Sequence, residues 1–383
     1  MSSWKECKLG EVAEIIMGQS PTGDTCNTNG KGTPLLNGPT EFGIQFPKAV
    51  QFTISPKKIS EINDILFCVR GSTTGRMNWA NEHYALGRGL ASIRHRQGHD
   101  YRYFIKALLD FNLPVILASA TGSTFPNVSR EQLENLDISL PPLEEQKAIA
   151  EILSSLDDKI DLLHRQNQTL ESLAQTLFRQ WFEDKEFDGI IGDIIKLQSG
   201  YAFKSKDFQY FGIHGVLKIK NISNSIIDIF NTDFIDLTVA NKTDEKFKIL
   251  SGDILFGMTG AEIGKMGIVP KTDKNLWLNQ RVGVLREKYL GAKYLAYLQL
   301  TSEFGFDYIT STATGSAQPN ISAREIEQCP FVKLEVDEIE NYSNEISPLF
   351  EKIIFNLGQI QTLENLRDTL LPKLLSGEIK IKD

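Results

Sequence analysis

The sequence predicts an α+β protein in which two homologous mixed α/β domains are joined by two long antiparallel coiled-coil helices, an internal repeat with pseudo-twofold order. Three observations predict it. Short motifs recur collinearly along the 383 residues, two stretches carry an apolar seam at 3.5-residue spacing, and the acidic excess is confined to those two stretches. Residues 1–142 read as the first domain, 143–183 as the first helix, 184–332 as the second domain and 333–383 as the second helix.

The repeat is read directly from the residues. Leu9-Gly10-Glu11-Val12 returns as Ile191-Gly192-Asp193-Ile194, and Asp64-Ile65-Leu66-Phe67 as Asp253-Ile254-Leu255-Phe256. Gly71, Gly75 and Arg76-Met77 match Gly260, Gly264 and Lys265-Met266. Thr121-Gly122-Ser123 and Pro126-Asn127-Val128-Ser129 match Thr314-Gly315-Ser316 and Pro319-Asn320-Ile321-Ser322. Within each domain, β-rich runs such as 64–69, 215–219 and 253–256 lie between Gly, Pro, Asn and Ser clusters, and 101–109 and 292–300 read as short helices.

The helices follow from periodicity. Ile149, Leu153, Leu156, Ile160, Leu163, Asn167, Leu170, Ala174, Leu177 and Trp181 alternate by four and three, the seam of a coiled coil. Tyr342, Ile346, Leu349, Ile353, Asn356, Ile360, Leu363, Arg367, Leu370 and Leu374 form the second seam. Pro348 and Pro372 predict a kink or restart near Ser347 and loosening near the end. If the helices run antiparallel, Asn167 and Asn356 fall in one layer, where a buried amide pair would fix the register. A first helix of some 40 residues, about 60 Å long, would set a distance between the domains.

Composition bounds the function. Hydrophobic residues at 41% and charged residues at 23% exclude a mainly disordered chain. No apolar run approaches the roughly 20 residues of a membrane helix. The start of the chain has no apolar signal core, and the four cysteines are scattered, so a cytoplasmic protein with reduced thiols is expected. The net charge of −8 opposes a general charge-driven binder of nucleic acid. Regional nets of +1, −4, −1 and −4 leave the two domains near neutral, so a nucleic-acid surface belongs there. GxxxxGK[ST], GxGxxG after a strand, HExxH, GxSxG and the Asn-Pro-Pro-aromatic tetrapeptide are missing. No catalytic residue and no metal site is expected. His95 and His99 on an Arg-rich stretch read as surface or phosphate-contacting residues rather than metal ligands.

The run Leu140-Pro141-Pro142-Leu143-Glu144-Glu145-Gln146-Lys147-Ala148-Ile149-Ala150-Glu151-Ile152-Leu153 with Asp157-Asp158-Lys159-Ile160, and the tail Leu370-Leu371-Pro372-Lys373-Leu374-Leu375-Ser376-Gly377-Glu378-Ile379, resemble the helical spacers of type I restriction–modification specificity subunits. The Trp4-Lys5 and Leu9-Gly10-Glu11-Val12 opening fits too, and the resemblance covers the whole chain. It implies a non-catalytic subunit of an adenine-N6 methyltransferase/endonuclease complex. Each domain would read one half of a bipartite, asymmetric site in double-stranded DNA. The chain would scaffold two methyltransferase subunits, which carry S-adenosylmethionine, and the restriction/translocase subunits. The chain itself would bind no cofactor. A solitary DNA-binding or regulatory module without a methyltransferase partner is the second reading, and an enzyme with an unrecognised site the third.

On that reading the candidate DNA-binding residues are Arg70, Ser72, Thr73, Thr74 and Arg76 in one glycine-flanked loop and Thr259, Glu262 and Lys265 in its repeat. Arg, Lys, Ser and Thr can reach phosphates or base edges, and Glu can accept from cytosine N4. Thr121, Ser123, Thr314 and Ser316 are a second set, and Lys218, Lys220 and Asn221 sit where a strand ends. The same loops also fit tight structural turns shared by both domains.

Overall fold

The structure, a computed structural model, describes residues 4–43, 46–122, 126–223, 225–260, 263–315 and 319–381. It divides into two units, residues 1–161 with 363–383, and residues 162–362.

In the first unit an antiparallel sheet runs in the order Ala13–Met17, Leu90–His95, Ile65–Cys68, Met77–Trp79. Strand Ile65–Cys68 is buried at every residue, which explains its unbroken apolar run. A second sheet, Cys26–Asn27, Gln51–Thr53, Thr33–Leu36 and Ala85–Leu86, ends in a parallel pair. Helix Arg102–Phe111 covers the first sheet with Phe104, Ile105 and Leu109.

The second unit repeats the four-strand core. Ile195–Ser199, Val282–Glu287, Ile254–Gly257 and Met266–Ile268 keep the same order, and two short strands extend the sheet. Helix Ala292–Thr301 corresponds to Arg102–Phe111. The repeated Asp opens the central strand for the same reason in both units. Asp64 accepts from the Glu61 N–H at 2.7 Å and from Arg94 at 3.0 Å, and Asp253 accepts from the Leu250 N–H and from Arg286, each at 2.9 Å. A buried carboxylate is tolerated because it is paired and hydrogen-bonded.

The two long helices span Leu143–Phe182 and Val336–Leu375. In the first unit Ile149, Leu153, Leu374 and Leu375 join the domain core, and Arg367 reaches Asp157 at 2.9 Å. In the second unit Asn167 meets Asn356, and Trp181 lies 4.7 Å from Tyr342. Residue numbers rise on one helix as they fall on the other, so the pair is antiparallel. The second helix runs without a break through Pro348 and Pro372, which corrects the expected restart. Ile346 and Phe350, both fully buried, flank Pro348, and Phe350 stacks on Tyr294 at 4.4 Å. That packing holds the backbone helical where the proline removes one hydrogen bond.

Candidate nucleic-acid interface

The loop at Arg70–Arg76 is built from a strand end that turns back on itself. The Gly75 N–H donates to Cys68 O and the Cys68 N–H to Arg76 O, both at 2.8 Å, so the loop is closed at its neck. Gly71 has φ +96°, a left-handed backbone that glycine adopts freely. In the second unit the Gly264 N–H donates to Gly257 O at 3.0 Å and the Gly257 N–H to Lys265 O at 2.8 Å, with Gly260 at φ +74°.

The second candidate loop of each domain lies against the first. The Gly71 N–H donates to Pro126 O at 3.0 Å and the Gly260 N–H to Pro319 O at 2.7 Å. Asn127 bridges to both Arg70 and Thr121, and Asn320 to both Thr259 and Thr314. The Pro-Asn-Val/Ile-Ser repeat is now legible. Asn makes the bridge, while Val128 or Ile321 is fully buried. Ser129 or Ser322 caps the next helix through a reciprocal bond with Gln132 or Glu325.

The structure therefore brings together Arg70, Ser72, Thr73, Thr74, Arg76 and Thr121 in one unit, and Thr259, Lys265 and Thr314 in the other. Ser123, Glu262 and Ser316 lie outside the described residues. Ser72, Thr73, Arg76, Thr121, Lys265 and Thr314 are exposed. Several polar groups are engaged by their own domain. Arg70 Nε donates to Asn127 Oδ1 at 3.1 Å, Thr74 Oγ1 to Gly71 O at 2.7 Å and Pro126 O at 3.0 Å, and Arg76 Nη1 to Pro39 O at 3.4 Å. Both descriptions of these loops meet in one object: tight turns by backbone, with hydroxyl and guanidinium groups on their surface. Asn167 and Asn356 belong to the two long helices and not to these loops.

The other polar candidates are internal. His95 is buried, not a surface residue: its Nε2 lies 3.2 Å from Gln146 Oε1 and its Nδ1 accepts the Gln97 N–H at 3.0 Å. That geometry fixes the neutral tautomer, and burial lowers the His95 pKa from its ordinary value. Lys218 and Lys220 both pair with Asp233, and Asn221 is buried, bonding Asp228 O and Asn231 O. Burial pushes the Asp233 carboxyl up, but hydrogen bonds and charge from the two lysines outweigh it and hold its pKa below the usual range. Among the described residues no group of three or more His, Cys, Asp or Glu is placed to hold a metal ion. No helix among them is long and apolar enough to cross a membrane.

Sequence reasoning passed over one turn beside each loop, Gly87–Leu90 and Asn279–Val282. Its signal was weak, since Gly-Arg-Gly and Asn-Gln-Arg share no residue at matching positions.

Comparison with known proteins places this construction. Residues 1–172 and 186–332 each match the model of the type I restriction modification DNA specificity domain. The MjaX specificity subunit of Methanocaldococcus jannaschii is 36% identical over 189 residues, 46% of this chain, and the chain spans 44% of that relative's length. The type I restriction enzyme MjaVIII specificity subunit of the same organism is 26% identical over 99% of this chain and 94% of its own. The fold matches the crystal structure of a type I restriction–modification S subunit from M. genitalium with a TM-score of 0.61. That match has 18% identity and covers 100% of this chain and 97% of that one.

Proposed function

The chain belongs to the family defined by the type I restriction modification DNA specificity domain, and on that premise we propose that it is the sequence-reading subunit of a type I restriction–modification complex. Each domain reads one half of a bipartite, asymmetric site in double-stranded DNA. One observation supports this most directly: the two units repeat the backbone bonds of the paired loops, while Arg70, Thr74 and Arg76 of one stand where the other has Thr259, Ile263 and Lys265. A shared scaffold with divergent surface residues suits two readers of two different half-sites, because phosphate contacts position a protein while base-edge contacts specify.

The chain is a non-catalytic member of the assembly. Two methyltransferase subunits, which bind S-adenosylmethionine and methylate adenine N6, dock on the scaffold, and restriction/translocase subunits complete it. The near-neutral domains leave much of the phosphate affinity to those partners. A cytoplasmic location accords with a DNA target. The test is reconstitution. The purified chain alone should turn over no S-adenosylmethionine, and adding the methyltransferase subunit encoded with it should give adenine methylation at a split site. Turnover by the chain alone would sink the assignment.

A further inference from the structure

The polar side chains of the paired loops are largely held by their own domain, whereas the neighbouring turn is not. In the first unit residues 87–90 form a turn closed by the Leu90 N–H on Gly87 O at 3.1 Å, and in the second residues 279–282 are closed by the Val282 N–H on Asn279 O at 3.0 Å. The two turns are fixed alike from every side. The Gly87 N–H donates to Leu36 O at 2.8 Å and the Asn279 N–H to Leu217 O at 3.0 Å. The Gly18 N–H donates to Leu90 O at 2.8 Å and the Gly200 N–H to Val282 O at 3.0 Å. The third residue of each turn holds the start of the paired loop, with the Val69 N–H on Gly89 O at 2.9 Å and the Met258 N–H on Arg281 O at 3.2 Å.

The second residue of each turn stands at the tip, Arg88 in one unit and Gln280 in the other. Its backbone N–H is also held, by Ser20 Oγ at 3.3 Å for Arg88 and by Tyr201 O at 3.0 Å for Gln280. Both side chains are exposed, and among the described residues neither makes a side-chain hydrogen bond or ion pair. A rigid backbone under an uncommitted polar side chain is what a specific contact needs, because the position is preorganised and no internal bond must break. Gly89 keeps the first turn close to its support: a Cβ there would stand 2.5 Å from Asn37 O.

We infer that Arg88 and Gln280 are specificity-determining residues of their respective half-sites, Arg88 directed at guanine and Gln280 at adenine, an inference that rests on the DNA-reading function proposed above. The chemistry selects the bases. The guanidinium fork matches the two acceptors N7 and O6 of guanine, and the glutamine amide matches the acceptor N7 and donor N6 of adenine. Arg281, where the first turn has Gly89, gives the second turn its cation and suits a phosphate.

The experiment is methylome sequencing of a host free of other adenine methylation, expressing the full chain with its methyltransferase subunit. With Arg88→Gln, one position of one half-site should lose its G·C preference about tenfold or move to A·T, the other half-site staying as it was. Gln280→Arg should do the converse in the other half-site. An unchanged motif with both variants overturns the inference. So does a uniform loss over all sequences with a salt slope smaller by about one, the mark of a phosphate contact. Failure of the wild-type complex to methylate any split site would instead bring down the specificity-subunit reading, and this inference with it. Both residues lie at exposed turn tips, and an unchanged Tm of each variant separates recognition from folding.

Discussion

Asn356 donates from Nδ2 to Oδ1 of Asn167 at 2.9 Å, and the two amide atoms left over, Asn167 Nδ2 and Asn356 Oδ1, have no hydrogen-bond partner among the described residues. The pair is a single bond rather than a reciprocal one. It sits inside a seam whose neighbours, Leu163, Ile353 and Ile360, are buried. Such a layer fixes register at a cost in stability. Asn356→Leu alone should destabilise the chain by about 1–3 kcal/mol, because it strands the Asn167 carbonyl. The double change N167L/N356L should recover that loss and reach or exceed wild-type stability. Urea midpoints at constant m-value check both. A double mutant as unstable as the single one would mean that the layer stabilises as it stands.

Modular reading predicts separable defects. Arg76→Ala should weaken discrimination in one half-site and Lys265→Ala in the other, each by about 1–3 kcal/mol if the side chain reaches a base edge. Binding to a panel of single-base variants of the site measures this. Equal weakening on every variant would make these residues phosphate contacts, and no effect would leave the loops as structural turns.

The glycines of the first loop should differ in cost. Gly71→Ala meets open space and bears only the strain of a left-handed φ, about 1–2 kcal/mol. Gly75→Ala has φ +92° and also places a Cβ 2.6 Å from Leu113 Cδ1, so it should be the more destabilising of the two. Thermal melts of the two variants give the order directly.

His95 predicts a pH dependence. Its folded pKa is lowered by burial, so over the window between that value and the unfolded value of about 6.5 the unfolded chain binds more protons. The contribution to stability is therefore present above about pH 6.5 and lost as pH falls. Protonation at Nδ1 also removes the acceptor of the Gln97 N–H. Denaturation at pH 7.5 and 5.5 should show a drop that His95→Gln reduces. An equal drop in that variant would assign the effect to other groups.

Much of this was legible in the sequence because it is written in periodicity and repetition. The seam from Ile149 to Trp181 declares a helix, and the recurrence of Asp64-Ile65-Leu66-Phe67 at Asp253 declares the same strand twice. Three features were not legible. Pro348 suggested a kink or restart, but the helix does not restart, because the tertiary packing of Ile346 and Phe350 overrides a local preference. His95 looked exposed beside Arg94 and Arg96, because alternation on a strand puts neighbours on opposite faces and a polar residue on the inner face gives no sign of its partner, here Gln146, 51 residues away. The turns at Arg88 and Gln280 share backbone bonds but not side chains, and residue matching sees only side chains.

The core of the first unit is closed by Leu374 and Leu375, which are synthesised after the whole of residues 162–362. The first domain thus leaves the ribosome before the second and cannot complete its own core until the second unit has been made. While it waits, Ile149 and Leu153 lack part of their cover, a state open to chaperones and proteases. A premature stop just after Thr362 would spare the second unit and injure the domain farthest away in sequence.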